Sequence, residues 1–198
     1  MSTVVADISM SLDGFVTGPD AKPGQGLGLG GEPIHQWVFE SAQSPLDRQI
    51  LAGSERVGAV VMGRNLFDVV DAPDGWTEEV SYGYDHTLPK RPHLFVVTHR
   101  APERWRLPDV TFVTDGMVAA VDAARRHARD REVSVMGGAQ IIDQALKTSV
   151  VDQLCIHLSP VLMGEGTRLF DLVDAPMQLT QAGATVTPNA THLTYLLG

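Results

Sequence analysis

The 198-residue sequence has a single cysteine, Cys155. An internal disulfide is therefore excluded, and a reduced, cytoplasmic setting fits that usage. Cys155 lies inside an apolar run and reads as a small buried hydrophobe. Long apolar runs are missing too: none reaches the roughly 18 residues that a bilayer span requires, so no membrane partner is expected. The opening residues, MSTVVADISM, have no basic segment ahead of their apolar ones and do not read as a secretory signal. Positive charge is scarce, with 15 Lys and Arg against 24 Asp and Glu, a formal charge of −9. Nucleic acid is excluded as a partner on that ground, because phosphate binding along a duplex or strand needs a basic face. The one basic run, RRHAR at 125–129, falls on a predicted helix and reads as a solvated face. No set of His, Cys, Asp and Glu has metal-ligand spacing.

What is present is a composition of 43% hydrophobic residues in a length that predicts one domain over 1–198. Near-continuous apolar runs at 4–10, 59–63, 93–99, 110–114 and 133–137 predict strands buried on both faces, as in parallel sheets. Helical periodicity at 45–57, 117–130 and 138–148 lies between them. The alternation predicts an α/β fold with a mostly parallel central sheet. The segments 152–162 and 184–197 predict strands without intervening helices, and THLTYLL alternates in polarity as an antiparallel strand does. Loops at 19–33 and 71–92 are long for a compact domain, which marks them as functional candidates.

Glycine is where ligand chemistry enters. GQGLGLGG at 24–31 resembles a phosphate loop in composition, but it neither leaves a strand nor opens a helix, and it lacks the Lys-Ser/Thr of a P-loop. A surface loop or lid is the expectation there. Two other sites have the required context. AVVMGRNLF runs from strand through Gly63-Arg64 into a short helix, and VSVMGGAQII runs from strand through Gly137-Gly138 into another. Open α/β sheets bind ligands at strand carboxyl ends, and the free N–H groups of the following helix suit a phosphate. The two turns together predict a paired phosphate cradle, with Arg64 adding charge. Thr98, His99 and Arg100 follow a third strand and offer a hydroxyl, an imidazole and a guanidinium, a set suited to a phosphomonoester.

These residues belong to an ordered series. SLDGFVTG (11–18), VVMGRNLFD (60–68), FVVTHR (95–100), VTFVTDG (110–116), VMGGAQIIDQAL (135–146) and DQLCIHLSPVLMGEGTRLF (152–170) resemble, in sequence order, the reductase family typified by the C-terminal domain of the riboflavin-pathway deaminase–reductase. That family shares the three-layer dihydrofolate reductase fold. The resemblance implies an NADPH-dependent oxidoreductase that transfers hydride to a small heterocyclic or ribosyl-pyrimidine substrate, working as a homodimer. By carry-over, Gly63, Arg64 and Asn65 with Gly137, Gly138, Ala139, Gln140 and Ile141 would hold the pyrophosphate of NADP(H). Thr98, His99 and Arg100 would take the 2′-phosphate side, and Ala6, Thr17 and Gly18 would border the nicotinamide. The Gly137–Gly138 bond would be cis.

Asp13 and His157 are the substrate-side candidates. Asp13 reads first as an Asx turn ahead of Gly14, and His157, with Cys155 and Ser159 on its face, reads equally as a structural histidine. Dihydrofolate reductases carry a carboxylate on their first long helix; Glu40 and Asp47 lie near that place, and neither is assigned. Leu66 stands where those enzymes usually have Thr after the Gly-Arg turn, which weighs against folate. A zinc deaminase signature is absent from the sequence. The alternatives are an NADP-binding protein without catalysis, its pocket closed by Trp37, Trp76 or loop 19–33; a dihydrofolate reductase; and a structural dimerisation domain.

Overall fold

The computed structural model of the chain describes residues 2–83 and 91–198. In chain order its strands are β1 (Val4–Ser11), β2 (Phe15–Thr17), β3 (Val57–Gly63), β4 (His93–Val97), β5 (Val110–Val113), β6 (Glu132–Gly137), β7 (Gln153–Ser159), β8 (Thr167–Arg168), β9 (Leu179–Val186) and β10 (Thr191–Leu197). The helices are α1 (Gln36–Phe39), α2 (Pro45–Leu51), α3 (Arg64–Val70), α4 (Gly116–Ala128) and α5 (Ala139–Lys147). Eight strands form one sheet in the order β5-β4-β3-β6-β1-β7-β10-β9, and β2 pairs with β8 in a small second sheet. From β5 through β7 every pairing is parallel, and β10 is antiparallel to both β7 and β9. The expected α/β architecture, with a mostly parallel sheet and antiparallel C-terminal strands, is the observed one.

Strand alternation explains the layers. Side chains of β3 point by turns to opposite faces. Ala59 and Val61 join a core with Val121 and Ala124 of α4 and Ile142 and Ala145 of α5. Val60 and Met62 join a second core with Phe67 and Val70 of α3 and with Leu94 and Val96 of β4. A strand covered on both sides must be apolar throughout, and all seven residues of β3 are buried.

Several boundaries differ from expectation. The segment 184–197 is part of a hairpin, because Pro188 has no N–H for a ladder and Thr187 closes a turn onto Ala190, its N–H donating to that carbonyl at 2.9 Å. The helix expected over 45–57 ends at Leu51 and continues as 3-10 turns over Ala52–Arg56, where Gly53 weakens α-helix. Strand β7 stops at Ser159, just before Pro160. The loop expected at 71–92 includes residues 84–90, which lie outside the described residues. Its first part is clasped by Arg106: the guanidinium Nη2 donates to the carbonyls of Val70, Ala72 and Trp76, and Asp71 accepts from the N–H groups of Arg106 and Leu107. Loop 19–33 is held by its own backbone bonds, Gly18 N–H to Leu27 O at 2.8 Å and Leu29 N–H to Pro19 O at 2.7 Å.

Phe67 is fully buried and meets the Phe112 ring edge-on at 5.2 Å. Phe67→Ala should lower unfolding free energy by about 3–5 kcal/mol, whereas Val118→Ala, on the exposed side of α4, should change it by no more than about 0.5 kcal/mol. Urea denaturation followed by circular dichroism measures both.

Candidate functional site

Parallel strands joined by right-handed crossovers all end at one edge of the sheet. Here the ends of β4, β3 and β6 are neighbours: Gly63 is in register with Val97, and Met62 with Gly137. The two glycine turns therefore adjoin, as the sequence predicts. Gly137 has φ +106°, a conformation that side-chain-bearing residues rarely adopt, and the Gly137–Gly138 bond is cis. Gly63 faces α5 so closely that a Cβ there would lie 2.6 Å from Cγ1 of Ile141. Gly63, Gly137, Ala139 and Ile141 are buried, while Asn65, Gly138 and Gln140 beside them are exposed. The paired turns thus open to solvent. Neither α3 nor α5 has a side-chain cap. The first-turn N–H groups of a helix have no acceptor within it, so both starts offer donors to an anion.

Arg64 is less free than its sequence context implies. Its Nε donates to Asp68 Oδ1 at 2.6 Å, and its Nη1 donates to the Arg100 carbonyl at 3.2 Å. It ties the β3 turn to the β4 turn and shares its charge with Asp68. In the turn after β4, the Thr98 hydroxyl donates to the Arg100 carbonyl at 2.9 Å. His99 and Arg100 are exposed, and the Arg100 guanidinium lies 3.8 Å from the exposed carboxylate of Glu103.

The edge also contains a gap. The β1–β6 ladder ends at Ala6–Val135, although β1 stays paired with β7 to Ser11–Ser159 and β6 stays paired with β3 to Gly137. Beyond Ala6 the two central strands part. Ala6 itself is fully buried, so its side chain does not border an open site. Two residues further along the same face, Ile8 is the β1 side chain that reaches the Gly137 turn, its Cδ1 lying 3.5 Å from where a Gly137 Cβ would be. Gly18 packs against residues 27–29, where a Cβ on it would collide with the Leu29 carbonyl oxygen, and Thr17 pairs with Thr167 of β8. The Thr17 hydroxyl oxygen is buried with no hydrogen-bond partner among the described residues, an unmet polar group beside the gap-forming strand.

Asp13 is committed to structure. Its carboxylate accepts from the Ser11 hydroxyl at 2.7 Å, from Met163 N–H at 3.0 Å and from Gly164 N–H at 2.8 Å. Those bonds, the Met163 one foremost, hold the carboxyl down at about 2. The group joins the β1–β2 turn to the loop after β7, and the expectation of a substrate contact gives way to that clasp, because its lone pairs are used.

His157 lies in a polar line on the sheet face opposite α4 and α5. Its Nε2 is 3.2 Å from Asp7 Oδ1, and its Nδ1 is 2.7 Å from Nδ1 of His192, its cross-strand partner on β10. His192 Nε2 is 2.9 Å from Asp47 Oδ1 on α2. Trp37 of α1 covers both imidazoles, with ring centroids at 4.2 and 4.9 Å, and its indole N–H donates to Ser9 Oγ at 2.9 Å. Ser159, expected on the same face, donates to the Ile34 carbonyl at 2.6 Å. His35 beside this group is held near 4 by burial and then by His157. Burial, then His157, also lowers His192. Asp7, Ile8 and His192 escape the sequence reading, and Trp37 enters it only as a residue that could close the pocket. Of the first three, only Asp7 leaves a trace there, as a charge inside the apolar run VVADISM.

The sheet order, the strand-end turns and the covered faces define a dihydrofolate reductase-like α/β fold. The family model of the RibD C-terminal domain matches residues 2–193, and the chain belongs to that family. Among solved structures it is similar over its whole length to a Shewanella sp. PV-4 protein assigned to riboflavin biosynthesis, with 24% identity, TM-score 0.69 and 99% of that chain covered. It also covers 57% of the Thermotoga maritima diaminohydroxyphosphoribosylaminopyrimidine deaminase/5-amino-6-(5-phosphoribosylamino)uracil reductase, with 14% identity and TM-score 0.64. The YwjB protein of Bacillus subtilis is 22% identical over 142 residues, 72% of this chain and 75% of that one. No helix among the described residues is long and apolar enough to cross a membrane.

A carboxyl group held down in the folded state stabilises above its unfolded-state value near 3.9 and loses that contribution as pH falls toward 2. The thermal midpoint of the wild type should exceed that of Asp13→Asn by a constant margin from about pH 7 to about pH 5, and the margin should close by about pH 2. Scanning calorimetry of both proteins across that range checks it; a margin that persists in acid would exclude the clasp.

Proposed function

We propose that this chain is an NADPH-dependent reductase of the riboflavin-biosynthesis reductase type, working in the cytoplasm on a small heterocyclic or ribosyl-pyrimidine compound. The observation that carries this reading is the contact between the Gly63 and Gly137 turns at the strand edge, next to the parting of β6 from β1. Gly63, Arg64 and Asn65 on one side and Gly137, Gly138, Ala139 and Gln140 on the other would bind the diphosphate by backbone N–H groups, with Ile141, whose N–H donates to the Gly138 carbonyl at 3.0 Å, packed behind them against Gly63. Thr98, His99 and Arg100 would orient the 2′-phosphate, with Arg100 supplying the charge. The gap beyond Ala6, where Ile8 reaches the Gly137 turn, would hold the nicotinamide ring, and Thr17 and Gly18 would border the ring and exclude water. The dinucleotide, when bound, supplies the hydride. The reductase portion of the Thermotoga enzyme, named for 5-amino-6-(5-phosphoribosylamino)uracil, supports the choice of substrate class. The reading includes a homodimer built on the C-terminal strands, where Val186 and Leu196 are exposed.

Titration of NADPH fluorescence should give a Kd below about 1 mM, with NADH at least about tenfold weaker, a difference of roughly 1.4 kcal/mol. Arg100→Ala should remove most of that preference, and Gly63→Val should abolish binding by pushing into Ile141. Equal affinity for the two dinucleotides would count against the reading. Light scattering should report twice the 21.4 kDa chain mass; a monomer at micromolar concentration would remove the dimer from it.

A further inference from the structure

The phosphate-side turns account for one edge of the sheet and leave the proton source of a reduction unnamed. The polar line on the opposite side of β1 has the right form to supply it. Four side chains from four elements stand in series: Asp7 of β1, His157 of β7, His192 of β10 and Asp47 of α2. Only the first opens to solvent. The Asp7 side chain is 45% exposed, against 7% for each histidine and 0% for Asp47. Asp7 is also the residue next to Ala6, where β1 and β6 part.

Each of the three contacts joins two groups that are acceptors until one of them carries a hydrogen. Each contact therefore needs one hydrogen, and a neutral imidazole brings only one. If Asp47 is the protonated carboxyl, it donates to His192 Nε2, His192 Nδ1–H donates to His157 Nδ1, and His157 Nε2–H donates to the Asp7 carboxylate. If each hydrogen crosses its own contact, the order reverses, and Asp7 becomes the protonated carboxyl. The same three hydrogens satisfy both arrangements. Asp47 Oδ2 is buried and has no partner among the described residues, so the buried end holds a carboxyl that is poorly compensated as an anion.

We infer that Asp7 gives the proton to the substrate heteroatom during reduction, and that His157, His192 and Asp47 form a proton-holding chain behind it. The inference rests on the reductase reading above. Reduction of a C=N or C=O bond places a hydride, with its two electrons, on carbon and a proton on nitrogen or oxygen; the reductant is the reduced nicotinamide dinucleotide. The Asp7 O–H bond breaks, the new N–H or O–H bond forms, and Asp7 is left as carboxylate. One of the three contacts then faces acceptor to acceptor, which drives recapture of a proton from water through Asp7. Asp7 is the catalytic residue in this scheme, and the other three position and charge it.

Other titratable groups face this line. Beside Asp7 are the Cys155 thiol, pushed up to about 11 by burial and then by Asp7, and the Tyr82 phenol, raised by the same causes, with Glu132 and Arg56 further off. His35 lies beside the histidine pair and is neutral above about pH 4. The Thr187 hydroxyl is 3.4 Å from His192 Nε2.

The test uses nitrogen-15 histidine NMR on the full chain, where imidazole shifts report tautomer and protonation. Asp7→Asn should change the tautomer balance and titration of His192, which Asp7 does not touch, and Asp47→Asn should do the same to His157. Asp7 is half exposed, so its variant is expected to fold even if Asp47→Asn does not. An unchanged His192 signal in Asp7→Asn overturns the chain. With 5-amino-6-(5-phosphoribosylamino)uracil as probe, Asp7→Asn should lower kcat at least ~100-fold with NADPH affinity unchanged, and His157→Gln should shift the pH–rate profile. Full kcat in Asp7→Asn overturns Asp7 as donor. If the wild type fails to bind NADPH, or binds it without consuming the probe, the cofactor or substrate assignment falls separately, and the NMR result then decides the chain alone.

Discussion

Parallel alignment of neighbouring strands is the constraint from which the site follows. A parallel strand pair needs a crossover, and right-handed crossovers return each strand from the same side. Strand ends, turns and helix starts then collect along one edge. That arrangement leaves backbone N–H groups of α3 and α5 uncapped at neighbouring points. The close seating of Gly63 on Ile141, where a Cβ would stand 2.6 Å from Cγ1, shows how near the two starts come. A side chain at Gly63 would separate them, so that glycine serves proximity, whereas Gly137, at φ +106°, serves the turn.

The two faces of the sheet do different work. Against α4 and α5 the centre of the surface is apolar, with Val4, Ala6, Val133, Val135 and Leu154 at or near zero exposure. On the other face, β1, β7 and β10 present Asp7, Ser9, His157 and His192 beneath Trp37. Buried polar groups are tolerated only when their bonds are made. Here the pairing of β10 with β7 sets the two histidines directly opposite each other. Asp47 enters from α2, whose N-terminus is capped by Ser44 Oγ accepting from Asp47 N–H at 3.3 Å. The carboxylate of that helix is sealed from solvent, so any action on a ligand must pass through the imidazoles.

Membership of the RibD C-terminal domain family and the strand-end turns were legible in the sequence because both are local. VMG followed by a helix is a contiguous pattern, and apolar runs report burial directly. The glycine-rich loop at 24–31 resembles a phosphate loop in composition alone; its residues close onto Gly18 and Pro19, and only a 3-10 turn at Glu32–His35 follows it. Asp13 had two readings, a substrate contact and an Asx turn, and the loop carrying Met163 and Gly164, 150 residues away in the chain, gives its carboxylate a third role as a clasp.

Local residue order determined the α/β class, the parallel sheet, the positions of both glycine turns and the lack of a disulfide. Period-2 and period-3.6 burial, turn residues and cysteine count all act within a few neighbours. Tertiary structure alone decided which strands part at Ala6, that Ile8 rather than Ala6 reaches the Gly137 turn, and that Asp7, His157, His192 and Asp47 stand in one line. Those facts depend on register between strands far apart in the chain. A shift of one residue in β10 would turn His192 to the other face, and no short stretch of sequence encodes that alignment.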